Sequence, residues 1–218
     1  MKGTATHQIG THTFRLLPQK AAFLVEQKAL LLADLHLGKI NHFRKSGIPL
    51  PPSANDHNTG KIIDLIQHVK PHRVIFLGDL FHSHYNEEWP VLGQIINHFA
   101  ACSFELVRGN HDIMSDYQYE RFGIKVVDEL LLDSLLFSHH PLESVPDGLY
   151  NIAGHIHPGA RLYGRGRQAI TLPCFYFGEK QGLLPAFGSF TGLARITVNK
   201  NDRIFVVAND EIIAVHEN

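Results

Sequence analysis

Ala29-Leu30-Leu31-Leu32-Ala33-Asp34-Leu35-His36 is an unbroken apolar run that stops at a carboxylate and an imidazole. A short apolar run of this kind reads as a strand buried on both faces. Ala22–Val25 lies just upstream, and Glu26-Gln27-Lys28 between the two reads as the turn of a hairpin. The same figure returns downstream. Arg73–Leu77 leads to Gly78-Asp79, Phe104–Val107 to Gly109-Asn110-His111-Asp112, Leu135–Phe137 to Ser138-His139-His140-Pro141, and Tyr150–Ala153 to Gly154-His155-Ile156-His157. In layered α/β folds, functional loops lie just beyond the carboxyl ends of strands, so these five loops are expected to converge.

Working outward, Ile62, Ile63, Leu65, Ile66 and Val69 repeat at helical spacing, and Pro71 ends that helix. Trp89, Leu92, Ile95, Ile96 and Phe99 mark a second amphipathic helix, with Pro90 tolerated in its first turn. Lys39 to Pro52, with Gly47, Pro49, Pro51 and Pro52, reads as a loop. Leu130–Leu132 and Leu135–Phe137 flank Asp133-Ser134 as a hairpin, and Leu149–Ala153 reads as a further strand. Ile196–Val198, Ile204–Val207 and Ile212–Val215 are expected to close the chain as strands. Strand–helix–strand followed mostly by strands implies one mixed α/β domain over residues 1–218. The preferred architecture is an α-β-β-α sandwich, two mixed sheets face to face with helices outside. An open single-sheet α/β fold is the alternative.

The bulk composition narrows the functional classes. Lys plus Arg total 20 against 21 Asp plus Glu, a formal charge of −1, so nothing global argues for a nucleic-acid coat or an anionic membrane surface. No apolar run approaches the roughly 20 residues needed to span a bilayer, and Met1–Gly10 lacks the apolar core of a secretion signal. Cys102 and Cys174 are too few for a disulfide framework or a thiolate zinc site, so the expectation is a reducing compartment and a cytoplasmic protein. The 16 histidines invite a search for clusters. His7, His12, His57, His68, His72, His98 and His216 lie in segments without a site signature and are expected to be solvated.

The five loops supply carboxylates, imidazoles and one side-chain carbonyl, without a thiolate. That mix suits Mn²⁺, Fe²⁺ or Zn²⁺. Two aspartates and four histidines exceed what one catalytic ion with an open position needs. They fit two ions, the arrangement that clamps attacking and leaving oxygens in displacement at phosphorus.

D-x-H, G-D, G-N-H-D, H and G-H-x-H, in this order from Asp34 to His157, resemble the calcineurin-like metallophosphoesterase superfamily. More narrowly, Ala33-Asp34-Leu35-His36-Leu37-Gly38-Lys39, Gly47-Ile48-Pro49, Gly78-Asp79-Leu80-Phe81-His82-Ser83, Leu172-Pro173-Cys174-Phe175 and Leu184–Phe190 resemble the bacterial ligase-associated DNA damage response endonucleases. The resemblance implies Mn²⁺-assisted cleavage of phosphodiesters, with DNA as the implied substrate and DNA-repair proteins as partners. It also implies roles. Asp34, His36 and His157 would hold one ion, Asn110, His139 and His155 the other, and Asp79 would bridge both. His111 would face the substrate, stabilising charge or protonating the leaving oxygen, and Asp112 would orient His111 by a hydrogen bond. Many superfamily members read H-G where this chain reads His139-His140-Pro141. The residue directly after the strand points to the site in the other loops, which favours His139, with His140 as its rival.

Several weaker candidates carry competing bland readings. Arg44 would bind a substrate phosphate or be a solvated loop arginine. Arg165 and Arg167, in Gly164-Arg165-Gly166-Arg167, would contact a nucleic-acid backbone or decorate a charged turn between two short strands. His82 and His84 would line the pocket without ligating. Cys174, Phe187 and Phe190 read as packing residues. Three functional classes follow: a phosphodiesterase or endonuclease acting on DNA, a hydrolase of small nucleotides or pyrophosphates, and a scaffold that kept the fold and lost catalysis. The absence of net positive charge favours the second over the first, whereas the resemblance favours the first. Intact His111 and Asp112 argue against the scaffold.

Overall fold

The hairpin read around Glu26-Gln27-Lys28 forms as β3 (Ala21–Leu24) and β4 (Ala29–Ala33), paired antiparallel. It belongs to a computed structural model that describes residues 2–39, 53–82, 84–164, 166, 168–189 and 191–215, with the side chains of 53–57 excepted. Arg44, Arg165, Arg167, Phe190, Ser83, His216, the side chain of His57 and the loop read beyond Lys39 therefore lie outside the described residues. Upstream, β1 (Ala5–Ile9) and β2 (His12–Leu17) extend the hairpin into a four-stranded meander. Downstream, β5 (Arg73–Leu77), β6 (Ser103–Val107) and β7 (Ile124–Val127) join β4 in parallel, giving a seven-stranded sheet in sequence order.

Parallel neighbours need crossovers, and the described helices on them are α1 (Ser53–Val69), α2 (Glu88–His98) and α3 (Asp116–Glu120). The period-two alternation of β4 explains the layering. Leu30 and Leu32 face the helices, joining Val74, Phe76 and Leu106 against Ile62, Leu65, Trp89, Leu92 and Tyr119. Leu31 and Ala33 face the other way, joining Ile75, Leu77 and Val107 against Phe137, Ile152, Phe175 and Phe205 of a second sheet.

That second sheet is built from everything after β7. Its described strands are β8 (Leu130–Leu132), β9 (Leu135–Ser138), β10 (Tyr150–Ala153), β11 (Pro158–Tyr163), β12 (Ala169–Phe177), β13 (Gln181–Leu183), β14 (Ala194–Arg195), β15 (Arg203–Ala208) and β16 (Glu211–Val215). β9, β10 and β13 run parallel, and the other pairings are antiparallel except β11 with β14. Two mixed sheets packed face to face, with the described helices on the outer face of the first, is the layered α/β sandwich expected. A single open sheet is excluded by the apolar faces that meet between the two. No described helix is long and apolar enough to cross a membrane.

Two sequence expectations need correction. Ile196–Val198 is not a strand: the ladder is Ala194–Arg195, and Ile196 and Val198 pack on Ala160, Cys174, Ile204 and Val206 at the outer face of the second sheet. Apolar alternation there reflects cover, which needs no ladder. His12 is not solvated but 3% exposed, its Nε2 3.1 Å from Ser134 Oγ. His68, His72 and His98 are exposed, as expected, and His7 is half-buried with its ring stacked on Phe177 at 4.2 Å.

Phe76 is fully buried on β5, its ring 6.4 Å from that of Phe104. Phe76→Ala should remove about 3–5 kcal/mol of stability. The emission of Trp89, the sole tryptophan, reports this as a lower urea midpoint at unchanged m-value.

Candidate metal centre

The ends of β4, β5, β6, β9 and β10 meet at one rim of the sandwich. Asp34 N–H donates to Gly78 O at 3.2 Å and His36 N–H to Asp79 O at 2.8 Å, so the first two loops are laced together. Gly154 N–H donates to His139 O at 3.1 Å and binds the last two. Ten described non-glycine residues have positive φ, and Asp34, His36, Asp79, His155 and His157 are five of them, at 48° to 64°. This left-handed region costs of order 1–3 kcal/mol per residue and clusters at functional sites. The sharp reversal it produces turns each side chain back over the strand end. Glycines supply the clearance. A Cβ at Gly78 would strike the His139 ring, and one at Gly109 would strike the amide nitrogen and Oδ1 of Asp79.

The resulting cluster has two lobes. In the first, ligand-type atoms of Asp34, His36 and His157 lie within 4.8 Å of one another, with His157 Nε2 3.4 Å from Asp34 Oδ1. In the second, His139 Nε2 is 3.0 Å from Asn110 Oδ1 and 3.2 Å from His155 Nδ1. Asp79 stands between them: Oδ1 is 3.4 Å from His139 Nε2 and Oδ2 is 3.7 Å from His36 Nε2. The backbone N–H of His111 donates to Asp79 Oδ1 at 2.9 Å, and that of His155 to both oxygens of Asp34.

The donor set fits divalent cations. His36 Nδ1 and His157 Nε2 are buried without a hydrogen-bond partner, and buried polar groups ordinarily have one. Burial, reinforced by Lys39 and the neighbouring imidazoles, pulls the His36 pKa down to about 2. Burial, then His140 and His139, lowers that of His155. Both shifts favour the neutral ring, the form that binds a metal. His139 Nδ1 is 3.0 Å from the Leu77 carbonyl, an acceptor only. A ring bound to a cation through Nε2 would carry its proton on Nδ1, towards that carbonyl. His140 is exposed, yet its ring centroid is 3.9 Å from that of His155, and it forms a ligand-type trio with His139 and His155.

Asp112 makes no hydrogen bond to the His111 ring among the described residues. It is buried, and its hydrogen bonds among the described residues come from Gly109 N at 2.8 Å, Leu80 N at 3.1 Å and the Tyr119 hydroxyl at 3.5 Å. Its carboxylate thus ties the β5 loop to the β6 loop, and burial raises its pKa to about 6. The group that meets His111 is the carbonyl of His82, 3.0 Å from His111 Nδ1, and the two rings stack at 5.3 Å. His82 lines the site, whereas His84 is exposed. A backbone carbonyl leaves no side-chain signature, so the only clue was the proximity of His82 to Asp79 in sequence.

The sequence profile of the calcineurin-like phosphoesterase family matches residues 28–171. The crystal structure of the Pseudomonas putida nuclease MPE superposes with a TM-score of 0.79 at 25% identity, covering 97% of this chain and 100% of that one. The E. coli phosphoesterase Yfce aligns over 87% of this chain and 99% of its own, at 16% identity and a TM-score of 0.45. No curated protein matches the chain.

Asp112→Asn separates tethering from orientation. The amide turns an N–H toward backbone donors, so the variant should lose about 1–3 kcal/mol of stability in denaturant. A change confined to the pH–rate profile would instead restore the His111 pairing.

Proposed function

Because the chain belongs to the calcineurin-like phosphoesterase family and is a hydrolase of phosphoric esters, we propose that it cleaves phosphodiester bonds in DNA as a two-metal endonuclease. The observation that carries this reading is Asp79, whose two oxygens face different imidazoles, His139 on one side and His36 on the other. Asp34, His36 and His157 would hold one divalent ion and Asn110, His139 and His155 the second, with Asp79 shared. Mn²⁺ suits this oxygen and imidazole set, as do Fe²⁺ and Zn²⁺. Bound there, the ions supply Lewis acidity at phosphorus and a water acidic enough to attack at neutral pH.

The protein's own groups do the rest. The His82 carbonyl accepts from His111 Nδ1–H and fixes the orientation of that ring. Its Nε2–H is then the donor to the developing charge or the leaving oxygen. Asp112, by fastening Gly109 and Leu80, keeps Asp79 and His111 in register. The likeness to a nuclease over nearly the whole chain supports a nucleic-acid substrate. The formal charge of −1 favours the second reading, a small nucleotide or pyrophosphate. Metal-free protein given Mn²⁺ and assayed on a chromogenic phosphodiester, a phosphomonoester and single- and double-stranded DNA decides between them. Turnover of the small diester with no DNA cleavage overturns the endonuclease reading.

Asp79→Asn should abolish turnover and release at least one ion per chain by metal analysis, because a neutral amide does not hold two cations together. Full occupancy with normal activity would refute the shared-ligand role. His111→Ala should lower kcat by roughly 10²–10⁴ with metal content intact. Loss of metal would instead make His111 a ligand.

A further inference from the structure

β11 begins at Pro158, directly after His157, and β14 is pinned to the same point, Ala194 N–H donating to the His157 carbonyl at 3.0 Å. From there β11 runs out of the sandwich. Residues opposite one another in a ladder share a face, so the pairings Gly159↔Arg195, Arg161↔Thr171 and Tyr163↔Ala169 put Arg195, Arg161 and Tyr163 on one face. The other face carries Ala160 and Leu162, which join the apolar cluster around Cys174. At about 3.3 Å per residue, Arg195, Arg161 and Tyr163 stand about 7, 13 and 20 Å along the strand from His157.

Four features of this strip are not those of an ordinary solvated edge. The three adjoining strands, Pro158–Tyr163, Ala169–Phe177 and Ala194–Arg195, contain no Asp or Glu. Arg161 and Arg195 have no carboxylate partner among the described residues. Tyr163 is 69% exposed, and the Arg161 guanidinium lies 5.4 Å from its ring centroid. β14 covers only Pro158 and Gly159, and beyond it no described strand pairs with that edge of β11.

We propose that this edge of β11 is the track along which the polynucleotide substrate lies, its scissile phosphate at the metal centre. Arg195 and Arg161 take successive backbone phosphates and Tyr163 stacks a base, the combination of unpaired cations and exposed aromatic that suits single strands. The track rests on the phosphodiesterase reading and extends it to the position and direction of the polymer. It also reconciles a chain of net charge −1 with a polyanionic substrate, since the positive charge is local.

The test uses the Mn²⁺-loaded protein, a fluorescent single-stranded oligonucleotide and a chromogenic phosphodiester, with Arg161→Gln/Arg195→Gln and Tyr163→Ala variants that melt like the parent. Expected is a roughly tenfold rise in KM for the oligonucleotide with Tyr163→Ala. The double arginine variant should flatten the dependence of log binding on log salt by about 1.4, two contacts at about 0.7 each on a single strand. Both should leave the small diester unchanged. If the parent cleaves the oligonucleotide and the variants do so equally, with the same salt slope, the track is wrong and the nuclease reading stands. Equal losses on both substrates also overturn it, since the residues would then serve the centre itself. A parent that cleaves only the small diester removes the nucleic-acid reading and the track together.

Discussion

The two hydrogen bonds from Asp34 N–H to Gly78 O and from His36 N–H to Asp79 O carry the pairing of β4 and β5 past the ends of the strands. Everything at the rim depends on them. Parallel strands bring their carboxyl ends to one edge, but ordinary loops would diverge there. Here the ladder continues through residues in left-handed conformation, so two aspartates from loops 45 residues apart in sequence are locked side by side. Two buried carboxylates facing each other's imidazoles repel unless cations neutralise them. The fold therefore gathers a donor set that divalent ions would suit.

Gly78 and Gly109 show how tightly that set is framed, because at either position a single added carbon would displace a candidate ligand. Asp112 belongs to the same frame. A carboxylate held by two backbone amides at the bottom of the site is a staple between loops, and its raised pKa is a mark of its burial. The precision of the centre is thus a property of backbone contacts as much as of the side chains that point into it.

Much of this was legible in the sequence because apolar runs ending in Asp, His or Gly-Asn-His-Asp announce both the strand and what it delivers. The five convergent loops, the hairpins at Glu26–Lys28 and Asp133–Ser134 and the helices around Leu65 and Leu92 all follow from local pattern. What was not legible depends on partners far away in the chain. His12 is buried by Ser134, 122 residues distant. The function of Asp112 depends on which amides fall within reach, and motif order alone suggested His111. Ile196 and Val198 alternate like a strand, but only the packed sheet reveals that they are its cover.

The division of labour between the sheets has a bearing on how the molecule comes into being. The first sheet is complete by Val127, the second starts at Leu130, and the ligand-type residues split across that boundary: Asp34, His36, Asp79 and Asn110 before it, His139, His155 and His157 after it. A nascent chain that has folded its first sheet holds Asp34, His36 and Asp79 without the remaining imidazoles. The three late histidines arrive only when the second sheet closes over Leu31, Ile75 and Leu77. On the proposed assignment, the full ligand set exists only after both halves have docked.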